Sequence, residues 1–345
     1  MKRLIIYRLG SLGDTVVALP CFHRIAQSFP DHERIVLTNI PVSSKAAPLE
    51  IILKPSGLIH GALEYPVGVR SIGQILSLRQ RLRAQKADTL VYLMPSRGLF
   101  NVVRDLLFFR SCGFSRFIGA PLTRDLMENR IDPDTGFQEP EAERLARTMA
   151  PLGAIDLRDR SCWDLRLTNE EKAVATRALA PLGGRAFFAI NLGGKAEEKD
   201  WGDLNWRQLL HELATALPEP LALVVIGGAD DFNRCEAVIA NWPHQRLNLC
   251  GVLSPREGAA AIAAARFFIG HDSGPLHMAA AVGTSCIGLF GNYNVPRKWH
   301  PYAPAVRVLH EKMGLESLSV NQVLAEVMDL LSAGFGMMPP GEGKK

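Results

Sequence analysis

Two α/β domains, each built on a doubly wound parallel sheet, are predicted for this chain from three observations. Short apolar segments without polar alternation recur through both halves, as strands buried on both faces do. Amphipathic stretches of helical length separate them, which is the rhythm of right-handed β-α-β crossovers. A polar, aperiodic segment, DLRDRSCWDLRLTN at 156–169, divides the two series. The expected domains are therefore residues 1–160 and 161–333, and residues 334–345 (GFGMMPPGEGKK) read as a frayed tail.

In the first half, the apolar runs at 4–8, 34–40, 89–94 and 116–118 are expected to be strands, with helices opening near Thr15, Ser71, Arg97 and Glu139. The second half repeats the pattern with strands at 187–192, 222–226, 247–249, 267–269 and 286–290. It opens with a helix at Thr168, whose hydroxyl suits an N-cap and is followed by Glu170 and Glu171 in the first turn. Crossovers of one hand put every strand-to-helix loop on one edge of its sheet, so ligands are expected there. Two such edges facing each other make a cleft.

The composition fits this architecture. The chain has 345 residues, of which 47% are hydrophobic and 21% charged, enough for two substantial cores and too apolar for disorder. Cys21, Cys112, Cys162, Cys235, Cys250 and Cys286 are scattered, with neither C-x-x-C nor zinc-ligand spacing, and read as small buried hydrophobes in a reducing compartment. No signal-peptide core and no membrane-spanning apolar run stands out, so a cytoplasmic protein is expected. The net charge is +4, but between Arg70 and Arg130 there are 11 basic residues against 4 acidic ones. Part of that excess is solvated helix face; the remainder points to a phosphorylated or membrane-surface partner. Nucleic acid is not expected, because no recognition motif or aromatic series accompanies the charge.

Four strand-end loops carry the candidate chemistry. The first is Leu9-Gly10-Ser11-Leu12-Gly13-Asp14, in which two glycines permit a tight turn and Asp14 is either a helix cap or an exposed functional carboxylate. It lacks the glycine spacing of a dinucleotide fingerprint, and the P-loop pattern is absent, which disfavours a dinucleotide oxidoreductase. The second is RFFIGHDSGPLHMAAAVGT (266–284), a buried strand running into a helix whose start is marked by Pro275. The amides of Ser273 and Gly274 and the positive end of that helix favour an anion, while Asp272 can accept sugar hydroxyls and His277 lies one turn in. The third, Gly193-Gly194-Lys195-Ala196-Glu197-Glu198-Lys199-Asp200-Trp201, offers close backbone approach and two lysines for a diphosphate. In the fourth, Gly227-Gly228-Ala229-Asp230-Asp231, either Asp230 or Asp231 is placed to bind ribose hydroxyls.

In order and spacing, RLGSLGDTVVALP, the later KDW and HDSGPLHMAAAVGT resemble the bacterial lipopolysaccharide heptosyltransferases of glycosyltransferase family nine. The resemblance covers most of the chain. It implies a two-domain GT-B fold and inverting, metal-independent transfer of heptose from ADP-heptose to an inner-core acceptor, which is phosphorylated and lipid-anchored. It also implies transient association with the inner-membrane surface. On this reading Asp14 is the catalytic base, and Gly10, Ser11, Gly13 and Arg97 meet the acceptor. Gly193, Gly194, Lys195, Lys199, Asp230, Asp231, Asp272, Ser273, Gly274 and His277 hold the donor. No cofactor is expected. The literal D-x-D at Asp132-Pro133-Asp134 is read as a turn, because proline separates the carboxylates and no apolar strand precedes them.

Two departures from the family pattern bear on the donor. Gly193-Gly194-Lys195 stands where hydroxyl residues are usual, and Asn292-Tyr293-Asn294 where a G-P-T-D type sequence is usual. A GT-B enzyme with another nucleotide sugar or acceptor, or a non-catalytic nucleotide-sugar binder, therefore stands as an alternative. The basic residues after Asn294 are expected to close over the donor phosphates.

Overall fold

The computed structural model describes residues 2–39, 48–66, 68, 71–193 and 196–333. The first domain runs β1 (Lys2–Tyr7), α1 (Leu12–Val17), α2 (Leu19–Ser28), β2 (His32–Thr38), α3 (Leu49–Leu53), β3 (Gly61–Glu64), α4 (Ile72–Ala84), β4 (Thr89–Tyr92), α5 (Leu99–Ser111), β5 (Arg116–Ile118), α6 (Arg124–Met127) and α7 (Glu141–Thr148). The second runs α8 (Asn169–Leu179), β6 (Phe187–Asn191), α9 (Asp203–Ala216), β7 (Ala222–Val225), α10 (Phe232–Ile239), β8 (Arg246–Asn248), α11 (Pro255–Ile262), β9 (Phe268–His271), α12 (Gly274–Ala281), β10 (Cys286–Phe290), β11 (Val306–His310) and α13 (Val320–Ser332).

Both sheets are parallel, and both are doubly wound. The first has the order β3-β2-β1-β4-β5 and the second β11-β10-β9-β6-β7-β8. Each chain order therefore reverses once, between β1 and β4 and between β6 and β9, and at such a reversal the two flanking loops diverge to leave a crevice. Leu4 pairs with Arg34 on one side and Thr89 on the other; Ile190 pairs with Val225 and Ile269. These central strands are buried on both faces, which is why their sequences carry no alternation.

Several boundaries differ from those expected. The first helix opens at Leu12, not Thr15, because Ser11 adopts the extended N-cap conformation; it breaks at Ala18, just ahead of Pro20. The helices expected near Arg97 and Glu139 open at Leu99 and Glu141, behind Gly98 and Pro140. The strands β3 and β11 were not anticipated. Both lie at sheet edges and are only partly buried, so neither shows the continuous apolar run that marks a central strand.

Between the sheets, Trp163 and Leu165 pack into the first core, whereas α8, capped by Thr168, packs on α11 of the second domain. The passage from one domain's packing to the other's thus falls at about Arg166, inside the polar segment. Five of the cysteines are buried, Cys162 is half-buried, and none is bridged. Among the described residues no helix is long and apolar enough to cross a membrane.

Candidate active site

The loop after β1 is set by glycine and by a buried arginine. Gly10 has φ +148, and a Cβ there would lie 2.6 Å from the Asp14 Cβ, so only glycine lets the chain fold back over α1. Arg8 is fully buried and donates from Nη2 to the Asp14 carbonyl (2.6 Å) and from Nη1 to the Leu93 carbonyl (3.2 Å). The Ser11 amide donates to Asp14 Oδ2 at 2.6 Å. Asp14 is therefore a helix-capping carboxylate through one oxygen, while Oδ1 accepts no protein hydrogen bond among the described residues. Capping and function are compatible here. Arg97, expected to meet the acceptor, donates through Nη1 to the Tyr7 hydroxyl (2.9 Å) and Asp105 (3.1 Å), which anchors it beneath the loop.

Across from this loop stands the second crevice. Asn191, the last residue of β6, donates to the Ile226 carbonyl (2.8 Å) and accepts from the Ser273 hydroxyl (3.0 Å), tying three strand ends together. Ser273 is the N-cap of α12 and Gly274 its first residue, so Pro275 occupies the second position rather than the first. A Cβ on Gly274 would lie 2.3 Å from Leu12, and one on Gly13 would lie 3.0 Å from the His277 ring. The starts of α1 and α12 abut there, and Asp14 and His277 belong to one site.

Lys199 sits in a short 3-10 turn and places Nζ 2.7 Å from Asp272 Oδ2 and 4.3 Å from the centre of the Tyr293 ring. Asn294 donates to the same Asp272 oxygen. Tyr293 and Asn294, which depart from the family pattern, touch Lys199 and Asp272 in the fold. Arg297, by contrast, turns away: its Nη1 donates to Asp132 Oδ2 (3.0 Å) in the first domain, which leaves the expected basic cluster over the phosphates without one member. Asp132 also accepts from the amides of Asp134 and Thr135 (3.0 and 3.1 Å), the hydrogen bonds of an ordinary turn.

The two aspartates after β7 are now distinguishable. Asp231 Oδ2 accepts from the Gly228 amide at 3.3 Å and lies 2.4 Å from where a Cβ on Gly193 would be. Gly193 is thus small so that this carboxylate can sit over the end of β6. Asp230 points into solvent. Gly194 and Lys195 lie outside the described residues. Among those described, no group of three or more His, Cys, Asp or Glu is arranged to hold a metal.

Behind the site lies a set of histidines that sequence reasoning passed over. Buried His271 accepts from the Trp201 amide (3.3 Å), which fixes the chain just after Lys199. His300 and His310 share a hydrogen bond of 2.9 Å and pack against Phe290. Burial holds the His300 pKa down at about 4, helped by His310, and burial also lowers His271, His277 and His310. For His277 the charges of Asp272 and Asp14 oppose that shift. Imidazoles kept neutral in the fold bind protons more readily in the unfolded chain, where they titrate near ~6.5. Stability should therefore be full above about pH 6.5 and fall as the pH drops toward about 4. A melting temperature that stays flat through this window would contradict that assignment.

The domains are strapped together elsewhere by arginines. Arg256 of α11, fully buried, donates to the carbonyls of Ile52 and Leu165 (both 2.8 Å) and Arg166 (2.9 Å) and pairs with Glu171 (2.6 Å). Arg160 donates to the carbonyl of Ala280 in α12 (2.6 Å).

Two Rossmann-like domains whose crevices face each other, with the starts of α1 and α12 abutting between them, define a GT-B fold. Solved structures share this fold. The glycosyl transferase family 9 protein of Veillonella parvula is similar with a TM-score of 0.73 at 19% identity, over 96% of this chain and 98% of that one. E. coli ADP-heptose lps heptosyltransferase II is similar with a TM-score of 0.67 at 18% identity, over 97% and 100%. E. coli heptosyltransferase WaaC with ADP gives 0.66 at 18%, over 95% and 99%. A search of curated protein sequences returned no match. The chain belongs to glycosyltransferase family 9, the heptosyltransferase family, whose sequence model matches residues 75–324.

Proposed function

We propose that this enzyme transfers a heptose from ADP-heptose to a phosphorylated, lipid-anchored saccharide of the lipopolysaccharide inner core, with inversion and without a metal. The observation that carries this reading is the gathering of Asp14, Asp272 and Lys199 around His277, each close enough to act on it by charge, where α1 abuts α12. In the proposed step, the acceptor hydroxyl oxygen attacks the anomeric carbon while its proton passes to Asp14. The bond from that carbon to the diphosphate oxygen breaks, and ADP leaves with the electron pair. Attack from the face opposite the leaving group inverts the centre.

Lys199, the amides at the start of α12 and neutral His277 would stabilise the departing diphosphate, the role a metal has in other transferases. Asp272 would then exchange its contact with Lys199 for sugar hydroxyls, and Asp231, over the end of β6, would take the ribose. Lys199→Met is expected to lower kcat/KM by about 10²–10³-fold, read from initial rates. A loss of less than about threefold would remove Lys199 from the leaving-group role.

A second reading, a different donor sugar, is favoured by one contact. Asn294, where the family pattern differs, touches the acid assigned to the sugar. Calorimetric titration with ADP-heptose, ADP-glucose, UDP-glucose and GDP-mannose, with and without EDTA, separates the two. Tightest binding of ADP-heptose together with EDTA-insensitive turnover supports the proposal. Preference for UDP or GDP sugars, or activity abolished by EDTA, overturns it, and binding without turnover of any acceptor would indicate a non-catalytic binder.

A further inference from the structure

We propose that the outer face of α4 and α5 is a docking surface for an anionic lipid leaflet. The fold sets these helices side by side on one face of the first sheet. Leu78 and Leu82 of α4 and Val102 and Phe109 of α5 share a single core cluster with Ile5 and Tyr7 of β1. Arg79 ties the pair together by donating to the Ser111 carbonyl at the end of α5 (3.0 Å). That inward packing accounts for one side of each helix only.

The outward side is apolar as well. Ile72 (77% exposed), Ile75 and Leu76 (54%) form a stripe along α4, and Phe100 (79%), Val103 and Leu107 (67%) form one along α5. Ile75 and Leu76 lie three and four residues after Ile72, and Phe100, Val103 and Leu107 are spaced three, four and seven apart, which keeps each set on one helical face. Large apolar side chains exposed singly are ordinary on a protein surface, but two adjacent stripes make a patch of the kind that meets a membrane or a partner.

Charge decides between those occupants. Arg79, Arg81 and Arg83 stand on α4, which has no acidic residue, and Arg104 and Arg110 on α5, where Asp105 is the sole acid. Asp105 is buried and already paired with both Arg97 and Arg104. Arg79, Arg81 and Arg110 donate to backbone carbonyls, which orient a guanidinium without cancelling its charge. An apolar stripe rimmed by uncompensated arginines is complementary to acyl chains beneath anionic headgroups.

Placement adds a functional reason. Both helices start at the carboxyl edge of the sheet, the edge that carries Asp14, so a leaflet against Phe100 and Ile72 lies beside the acceptor side of the crevice. A lipid-anchored substrate would then reach the site without leaving its membrane. Only this last reason rests on the proposed function; vesicle binding needs neither donor nor acceptor, so the docking surface stands or falls apart from the proposed reaction.

The test is flotation of the full chain with vesicles of phosphatidylcholine alone or with one third phosphatidylglycerol, and measurement of its oligomeric state by light scattering. Binding to the anionic vesicles, weakened by salt, is expected, and the double variant Phe100→Asp/Leu107→Asp should bind about tenfold or more weakly with an unchanged melting temperature. If that variant is unstable, Ile72→Ser/Leu76→Ser on the other stripe is expected to show the same loss. Failure of the unmodified chain to float, equal flotation of a folded variant, or a dimer that the substitutions disperse would overturn the proposal.

Discussion

Asp14→Asn should slow turnover by about 10²–10⁴-fold and leave donor affinity within about threefold. The asparagine keeps an oxygen to accept from the Ser11 amide, so α1 retains its start and Gly10 its turn. What the amide cannot do is take a proton from the acceptor hydroxyl. Asp14→Ala removes both abilities, and the lost cap costs about 1 kcal/mol besides, so Asn isolates the chemistry. Initial rates at saturating donor, paired with calorimetric titration of ADP-sugar, separate the effects. A variant that turns over at near the unmodified rate would show that Asp14 serves the helix and not the reaction, while loss of donor binding would place Asp14 on the donor rather than the acceptor.

Arg256→Met should destabilise the fold by about 3–5 kcal/mol. The guanidinium is fully buried and makes hydrogen bonds to three backbone carbonyls and Glu171, and methionine retains the aliphatic bulk while removing the guanidinium's donors from the three carbonyls and leaving Glu171 only the Thr168 amide. Because Ile52 and Leu165 lie in the first core and α11 in the second domain, the loss falls on the seam between them. Denaturant unfolding measures it. A change below about 1 kcal/mol would mean that water replaces the guanidinium freely, so that the seam is wet.

The central strands were legible because burial on both faces writes itself as an unbroken apolar run, as in LIIY of β1 and FFAI of β6. Edge strands escape that signal: VRVLH of β11 alternates with a charge and reads as loop. The strand-end loops were legible through glycine, since Gly10 and Gly193 are small for reasons that sequence position alone suggests. Which of Asp230 and Asp231 faces the crevice was not legible, for adjacent carboxylates differ only once the 3-10 turn rotates one inward. Arg8 and Arg256 were invisible for another reason. Their partners are mostly backbone carbonyls, and a carbonyl has no residue type to read.

The Arg256 strap also sets an order of events during synthesis. The Leu165 carbonyl is made 91 residues before the guanidinium that satisfies it. At about 5–20 residues per second the ribosome leaves that interval open for roughly 5–18 s. Through it, the nascent first domain presents the carbonyls of Ile52, Leu165 and Arg166 to water, and the first sheet, complete by Ile118, has no mate. The seam thus dries only once α11 of the second domain has been made. Until it does, Asp14, among the earliest residues translated, has no α12 to face.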